Sequence, residues 1–172
     1  DGPTHPNSNY AALAFSRDSS WLLTGGGDSY SRLTRSDGSP KGAILHGDWV
    51  EDVAFGPDGS WYVTVSDDNK VRVIDTATNT EQLTMNHAGF IQRVKVSEDG
   101  QWIASTGYDH VVSIWDADTG NLMIQFSLDA NGSAIAFNQD ATCIIAADED
   151  GNISIWDISS LANRIANIEF TE

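Results

Sequence analysis

A single cysteine, Cys143, stands in 172 residues, so no internal disulfide can form. That usage fits a reducing compartment, and a cytoplasmic location is the expectation. Basic residues are scarce too: nine Lys and Arg against 25 Asp and Glu give a formal net charge of −16. A field of that sign repels phosphate backbones and anionic lipid, which argues against nucleic acid and membrane as partners. Partners with basic patches are favoured instead. No apolar run approaches the ~20 residues of a membrane helix. The first ten residues, DGPTHPNSNY, have neither the basic nor the apolar stretch of a signal peptide. Sustained helical periodicity is missing as well. Ser159 to Ile165 has room for one helical turn, but the reading is against it.

What the chain does have is an internal repeat. Four segments align without gaps: LAFSRDSSWLLTGGGD, VAFGPDGSWYVTVSDD, VKVSEDGQWIASTGYD and IAFNQDATCIIAADED. Phe15, Phe55, Val96 and Phe137 correspond, at spacings of 40, 41 and 41. The same spacings relate Asp18, Asp58, Asp99 and Asp140, and again Asp28, Asp68, Asp109 and Asp150. Each unit reads as four short strands joined by turns rich in Asp and Gly. In the third unit these are Ile91 to Val96, Trp102 to Thr106, Val111 to Trp115 and Leu122 to Phe126. In the last unit the fourth strand is expected at Arg164 to Phe170. The fold class is all-β, with four four-stranded antiparallel units at about 1–45, 46–86, 87–128 and 129–172 in a single array. Four-stranded units of about 40 residues are the mark of propeller blades.

Ile114-Trp115-Asp116 and Ile155-Trp156-Asp157 end the third strands of the last two units. Through them the chain resembles the WD-repeat family of β-propellers. The first unit departs from the pattern with Leu33-Thr34-Arg35, and the second with Val73-Ile74-Asp75. The resemblance implies a structural network in each blade: His87, Ser105, Asp109 and Trp115 in the third, and His46, Thr64 and Asp68 in the second. The fourth keeps Asp150 and Trp156 but has Ala146 and no histidine in place, and the first keeps Thr24 and Asp28. A network with every member present is the stronger one, so the third blade is expected to be the most rigid. Ser, His and Asp together invite comparison with a hydrolase triad. Catalysis is not expected here, because no oxyanion hole or open cleft is legible.

Other temptations are weaker. Asp148-Glu149-Asp150-Gly151-Asn152 lacks the spaced ligands of a twelve-residue calcium loop and reads as an acidic hairpin turn. The four histidines have no cysteine partners for zinc. Gly25-Gly26-Gly27 has no following lysine to make a phosphate loop. No cofactor or metal is expected. Trp21, Trp61 and Trp102 repeat in register, with Cys143 in the fourth place, and should form a belt on one rim that covers strand edges and seams.

The other rim carries the binding expectation. WD-repeat proteins commonly recruit partners through residues before the first strand and just before the turn aspartate. Carried over by position, these are Trp49, Glu51, Phe90 and Gln92, together with Gly27, Asp67, Tyr108 and Glu149. Aromatic anchors in an acidic surround suit a basic or amphipathic peptide. The expected function is a non-catalytic protein-interaction scaffold or sensor. The resemblance extends to arrays attached to larger signalling proteins. The rival readings are a purely structural oligomerisation module, or an enzyme with a central-channel site built from Glu51, Asp52, Gln92, Arg93 and Lys95. Four blades are few for a ring of this family. Either further blades complete the ring, or a second copy closes it into eight, and self-association is the favoured expectation.

Overall fold

The recurring aspartates end the strands. The computed structural model describes residues 10–161. In it Asp18, Asp58, Asp99 and Asp140 each accept the backbone N–H two residues on, from Ser20, Ser60, Gln101 and Thr142, at 3.1, 2.9, 3.1 and 3.4 Å. This side-chain mimicry of a backbone turn reverses the chain after the first strand of every unit. The residue between donor and acceptor lies at positive φ each time: Ser19, Gly59, Gly100 and Ala141. Glycine takes that conformation freely, whereas for Ser19 and Ala141 it costs about 1 kcal/mol each. A second left-handed position recurs at the next hairpin, at Ser29, Asn69, His110 and Gly151.

Between these turns the chain forms β1 (Tyr10–Phe15), β2 (Trp21–Gly26), β3 (Tyr30–Arg35) and β4 (Pro40–Leu45). The second unit holds β5 (Val50–Phe55), β6 (Trp61–Ser66), β7 (Lys70–Asp75) and β8 (Thr80–Asn86). The third holds β9 (Ile91–Val96), β10 (Trp102–Gly107), β11 (Val111–Asp116) and β12 (Leu122–Ser127). The fourth holds β13 (Gly132–Phe137), β14 (Cys143–Asp148) and β15 (Ile153–Asp157). Every unit is its own antiparallel sheet with strands in chain order. The expected strand at Arg164 to Phe170 lies outside the described residues. Ser159 to Leu161 begin a helical turn where none was expected, with the Asp157 carboxylate accepting the Ser159 N–H at 2.8 Å as an N-terminal cap.

The core lies between the sheets. One cluster joins Leu23 and Leu33 of the first sheet to Val50, Val53, Tyr62 and Ile74 of the second. Another joins Val63, Val71 and Val73 to Ile91, Val94 and Ile103. A third joins Ala104, Val112 and Ile114 to Ile135, Ile144 and Ala146. Burial of a Val or Ile side chain is worth about 1.5–3 kcal/mol, so the seams are the main source of cohesion. First strands pack in series, β1 on β5, β5 on β9 and β9 on β13. The four sheets form an open propeller arc.

Candidate functional site

In the third sheet His87 precedes β9 and Asp109 sits in the turn after β10. His87 Nδ1 lies 2.7 Å from Asp109 Oδ2, and Nε2 lies 2.6 Å from Ser105 Oγ. Trp115 on β11 donates its indole N–H to the same Ser105 Oγ at 2.8 Å. An ionised Asp109 can only accept, so Nδ1–H donates to it and, in the neutral ring, Nε2 accepts from the Ser105 hydroxyl. Burial pushes the Asp109 carboxyl upward, but the hydrogen bond from His87 and those from the Ala88 and Val111 backbone N–H groups hold the group below its ordinary value. The four side chains bridge the loop before the first strand to the second and third strands. Ser105 is fully buried beneath the indole. A nucleophile needs a path to substrate, and this hydroxyl has none.

The second sheet departs from expectation. His46 does not meet Thr64. Its Nε2 lies 3.1 Å from Ser31 Oγ of the first sheet, and its Nδ1 lies 3.1 Å from Arg72 Nη1. Arg72 in turn grips Asp68, with Nη2 to Oδ2 at 2.6 Å and Nη1 to Oδ1 at 3.1 Å. The cause is steric and electrostatic. Arg72 fills the space between imidazole and carboxylate, and its N–H groups can only donate, so Nδ1 must accept and Nε2 must carry the proton. Burial and then the Arg72 charge lower the His46 pKa to about 4, against the opposing pull of Asp68. Burial raises Asp68, yet the Arg72 hydrogen bonds, the Gly47 N–H and the Arg72 charge bring it below the usual range. Thr64 is left fully buried with no hydrogen-bond partner for its hydroxyl.

Arg72 has a counterpart 40 residues earlier. Arg32 Nη2 lies 2.7 Å from Asp28 Oδ2. Both arginines stand four residues after the turn aspartate, in the two repeats that lack the Trp. That coincidence was visible in the sequence and marks residues the motif comparison passes over.

The fourth sheet departs as well. The turn carboxylate in use is Asp148, not Asp150. Asp148 accepts backbone N–H groups from Asp150 and Asn152 at 3.1 and 2.9 Å and the Asn152 side-chain amide at 3.0 Å. The Asn152 side chain is the largest cause holding Asp148 below its ordinary value. Asp150 is exposed, because apolar Leu128 occupies the histidine position and offers it no partner. Trp156 likewise lacks an acceptor, since Ala146 replaces the serine. It stacks instead on Phe126, with ring centroids 4.7 Å apart and planes at 11°.

The tryptophan belt packs on the protein's own chain. Trp102 is buried in the seam between the third and fourth sheets. The Arg35 guanidinium lies over the Trp21 ring at 4.6 Å. Trp61 lies so close to Gly56 that a Cβ there would fall 2.4 Å from the ring.

On the opposite rim the residues carried over from the family recur in one local geometry. Asp67 N–H donates to Trp49 carbonyl at 2.9 Å, Tyr108 N–H to Phe90 at 2.8 Å, and Glu149 N–H to Asn131 at 2.9 Å. Each pair thus joins the start of a first strand to the end of the second. Trp49, Phe90 and Tyr108 are 53 %, 49 % and 46 % exposed. The Phe90 and Tyr108 rings meet edge to face at 6.1 Å. Burial, then the charges of Glu51, Asp48 and Asp68, raise Asp67 to about 6. Glu51 is also raised, by burial first and by Asp48 and Asp52, with Arg93 opposing. Gln92 is half-buried on β9, Gly27 is half-buried before the first sheet's second turn, and Glu149 is exposed and bonded to the Asn131 amide.

The channel-side residues tie first strands to one another. Asp52 accepts the Val94 N–H at 3.0 Å and faces Lys95 Nζ at 3.4 Å, while Arg93 donates to the Gln92 carbonyl at 2.7 Å. Among the described residues no group of three or more His, Cys, Asp or Glu could hold a metal ion. No helix among them is long and apolar enough to cross a membrane.

The WD domain, G-beta repeat family matches the chain four times, at residues 3–33, 39–75, 79–116 and 126–157. The second and third matches each begin in or beside the outermost strand of one sheet and run through three strands of the next, so sequence repeat and sheet are staggered by one strand. No curated protein matches the chain. Such repeats generally mediate protein–protein interaction. With four matches spanning most of its length and four sheets that recur at the same period, the chain belongs to the WD-repeat family.

Proposed function

We propose that this chain is a non-catalytic interaction scaffold whose Trp49, Phe90 and Tyr108 rim docks a basic or amphipathic peptide segment of a partner protein. The observation that carries the reading is the raised carboxyl of Asp67 beside an exposed Trp49. Burial first, and then repulsion from Glu51, Asp48 and Asp68, raise Asp67, while Arg93 offsets part of the charge on Glu51. A Lys or Arg side chain brought to that spot relieves the repulsion and lies against an aromatic face. Glu149 and Gln92 extend the polar border around the rings, as expected of an interface rim.

The sign with pH follows. Binding a cation needs Asp67 ionised, so affinity is full above about 6 and declines as pH falls through that value. The test is titration of labelled Lys- and Arg-rich amphipathic peptides against the purified chain by fluorescence anisotropy. Trp49→Ala and Tyr108→Ala should each weaken binding about tenfold, Asp67→Asn should flatten the pH profile, and salt should weaken the complex. Peptide binding indifferent to all three substitutions, or no binding by any basic peptide, overturns the proposal.

A further inference from the structure

We propose that the outward face of the fourth sheet docks on the outward face of the first sheet of a second copy of this chain, so that two copies close through two equivalent seams. The inference is independent of the rim reading. It rests on register. In each internal seam the second strand of one sheet packs on the first strand of the next: β2 on β5, β6 on β9 and β10 on β13. In that series β14 is the next second strand, and β1 is the first strand that begins it.

The side chains follow the same arithmetic. Val63, Val71 and Val73 of the second sheet are 0 %, 0 % and 5 % exposed, and their counterparts Ala104, Val112 and Ile114 of the third are all 0 %. The next positions, 41 residues on, are Ile145, Ile153 and Ile155, at 38 %, 68 % and 65 %. The facing surface shows the mirror case. Val53, Val94 and Ile135 are 4 %, 0 % and 6 % exposed, whereas Leu13 in the same register is 66 %. The fourth sheet thus keeps, and on this face enlarges, the apolar side chains that bury an adjoining blade.

The occupant follows from the chemistry of the two faces. Among the described residues, the surface around Ile145 and Ile153 is made of alanine and isoleucine and carries no charged side chain. A basic peptide gains nothing there. The internal seams are heterologous, one face of a sheet against the opposite face of its neighbour, so the matching surface is a first-sheet face. This chain displays that face at Leu13 and Phe15. Two copies related by a two-fold axis satisfy both faces of each. Like charge opposes the approach, because each copy carries −16. Salt therefore strengthens this contact, the reverse of its effect on the rim complex.

The test measures the mass of the 172-residue chain by sedimentation equilibrium over a range of concentration and salt. A dimer is expected, tightening as salt rises. Ile155→Glu and Leu13→Glu each place a charge in both seams, and each should raise the dissociation constant by at least about 100-fold. Both sites are exposed in the single chain, and circular dichroism checks that the variants stay folded. Mixing the two variants is decisive. A mixed pair keeps one seam in which both faces are unaltered, so a heterodimer should appear where neither variant alone associates. A single-chain mass under all conditions overturns the proposal. So does a dimer unaffected by Leu13→Glu, which would signal contact between two fourth sheets, and so does a failure of the mixture to associate. Because salt drives this contact and the rim complex in opposite directions, loss of one leaves the other readable.

Discussion

Ser105 and Thr64 occupy the same register position, 41 residues apart, and both hydroxyls are buried, yet their circumstances are opposite. Ser105 joins His87 and Trp115, and Thr64 joins nothing. A buried polar group without a partner carries an unrepaid desolvation cost of about 1–3 kcal/mol, and a satisfied one does not. Ser105→Ala should therefore destabilise by about 1–3 kcal/mol, since it strands the indole N–H and loosens the imidazole. Thr64→Val, nearly the same shape, should stabilise by about 1 kcal/mol. Urea unfolding of the two variants checks the pair, and equal loss from both would contradict the contrast between a bonded Ser105 hydroxyl and an unpaired Thr64 hydroxyl. The register of the repeat makes the histidines and turn aspartates legible in sequence. What it leaves hidden is reach. Arg72 stands two residues from the position compared with Trp115, so the family pattern says nothing of it, and only its length lets it intercept His46. The shift from Asp150 to Asp148 is hidden for a related reason. Both are aspartates in one turn, and which carboxylate turns inward depends on Leu128 across the sheet.

At the scale of elements, the strands themselves were legible nearly to the residue, because turn chemistry recurs at fixed spacing and each strand needs only a two-residue alternation to be recognised. The helical start at Ser159 was not, since a single turn has no periodicity to display, and Asp157 reads as the end of a Trp-Asp pair before it reads as a cap. The elements differ sharply in cover. All six residues of β10 are buried and its neighbour β11 has four buried in a row, whereas β15 has no buried residue at all. Local opening is cheapest where few apolar contacts are lost. Native-state hydrogen exchange in the single chain, kept dissociated by Ile155→Glu, should accordingly be slowest in Trp102–Gly107 and Val111–Asp116 and markedly faster in Ile153–Asp157. The His87 network adds to this, because it pins the loop before β9 to both central strands of the same sheet. Protection of β15 equal to that of β10 would show that rigidity does not follow the network and its seam.

For the whole molecule, charge decides the response to salt. Ion pairs invite the expectation that salt weakens the fold, yet the geometry points the other way. The ion pair that carries weight, Arg72 with Asp68, has little exposed side-chain surface and is poorly screened, and the hydrogen-bonded His87 and Asp109 are buried likewise. The exposed pair of Arg17 and Glu98, at 3.5 Å, contributes little at any ionic strength. What salt does reach is the surplus of sixteen negative charges and the crowding of Asp48, Glu51 and Asp67 on one rim. Raising sodium chloride from about 0.01 M to about 1 M shortens the screening length from about 30 Å to about 3 Å, which removes that self-repulsion and leaves the buried pairs intact. The melting temperature of dilute protein should rise by several degrees over this range. It should rise less in Asp67→Asn, where one repelling charge is already gone. A melting temperature that falls with salt would mean that surface pairs, not the buried ones and the seams, hold the sheets together.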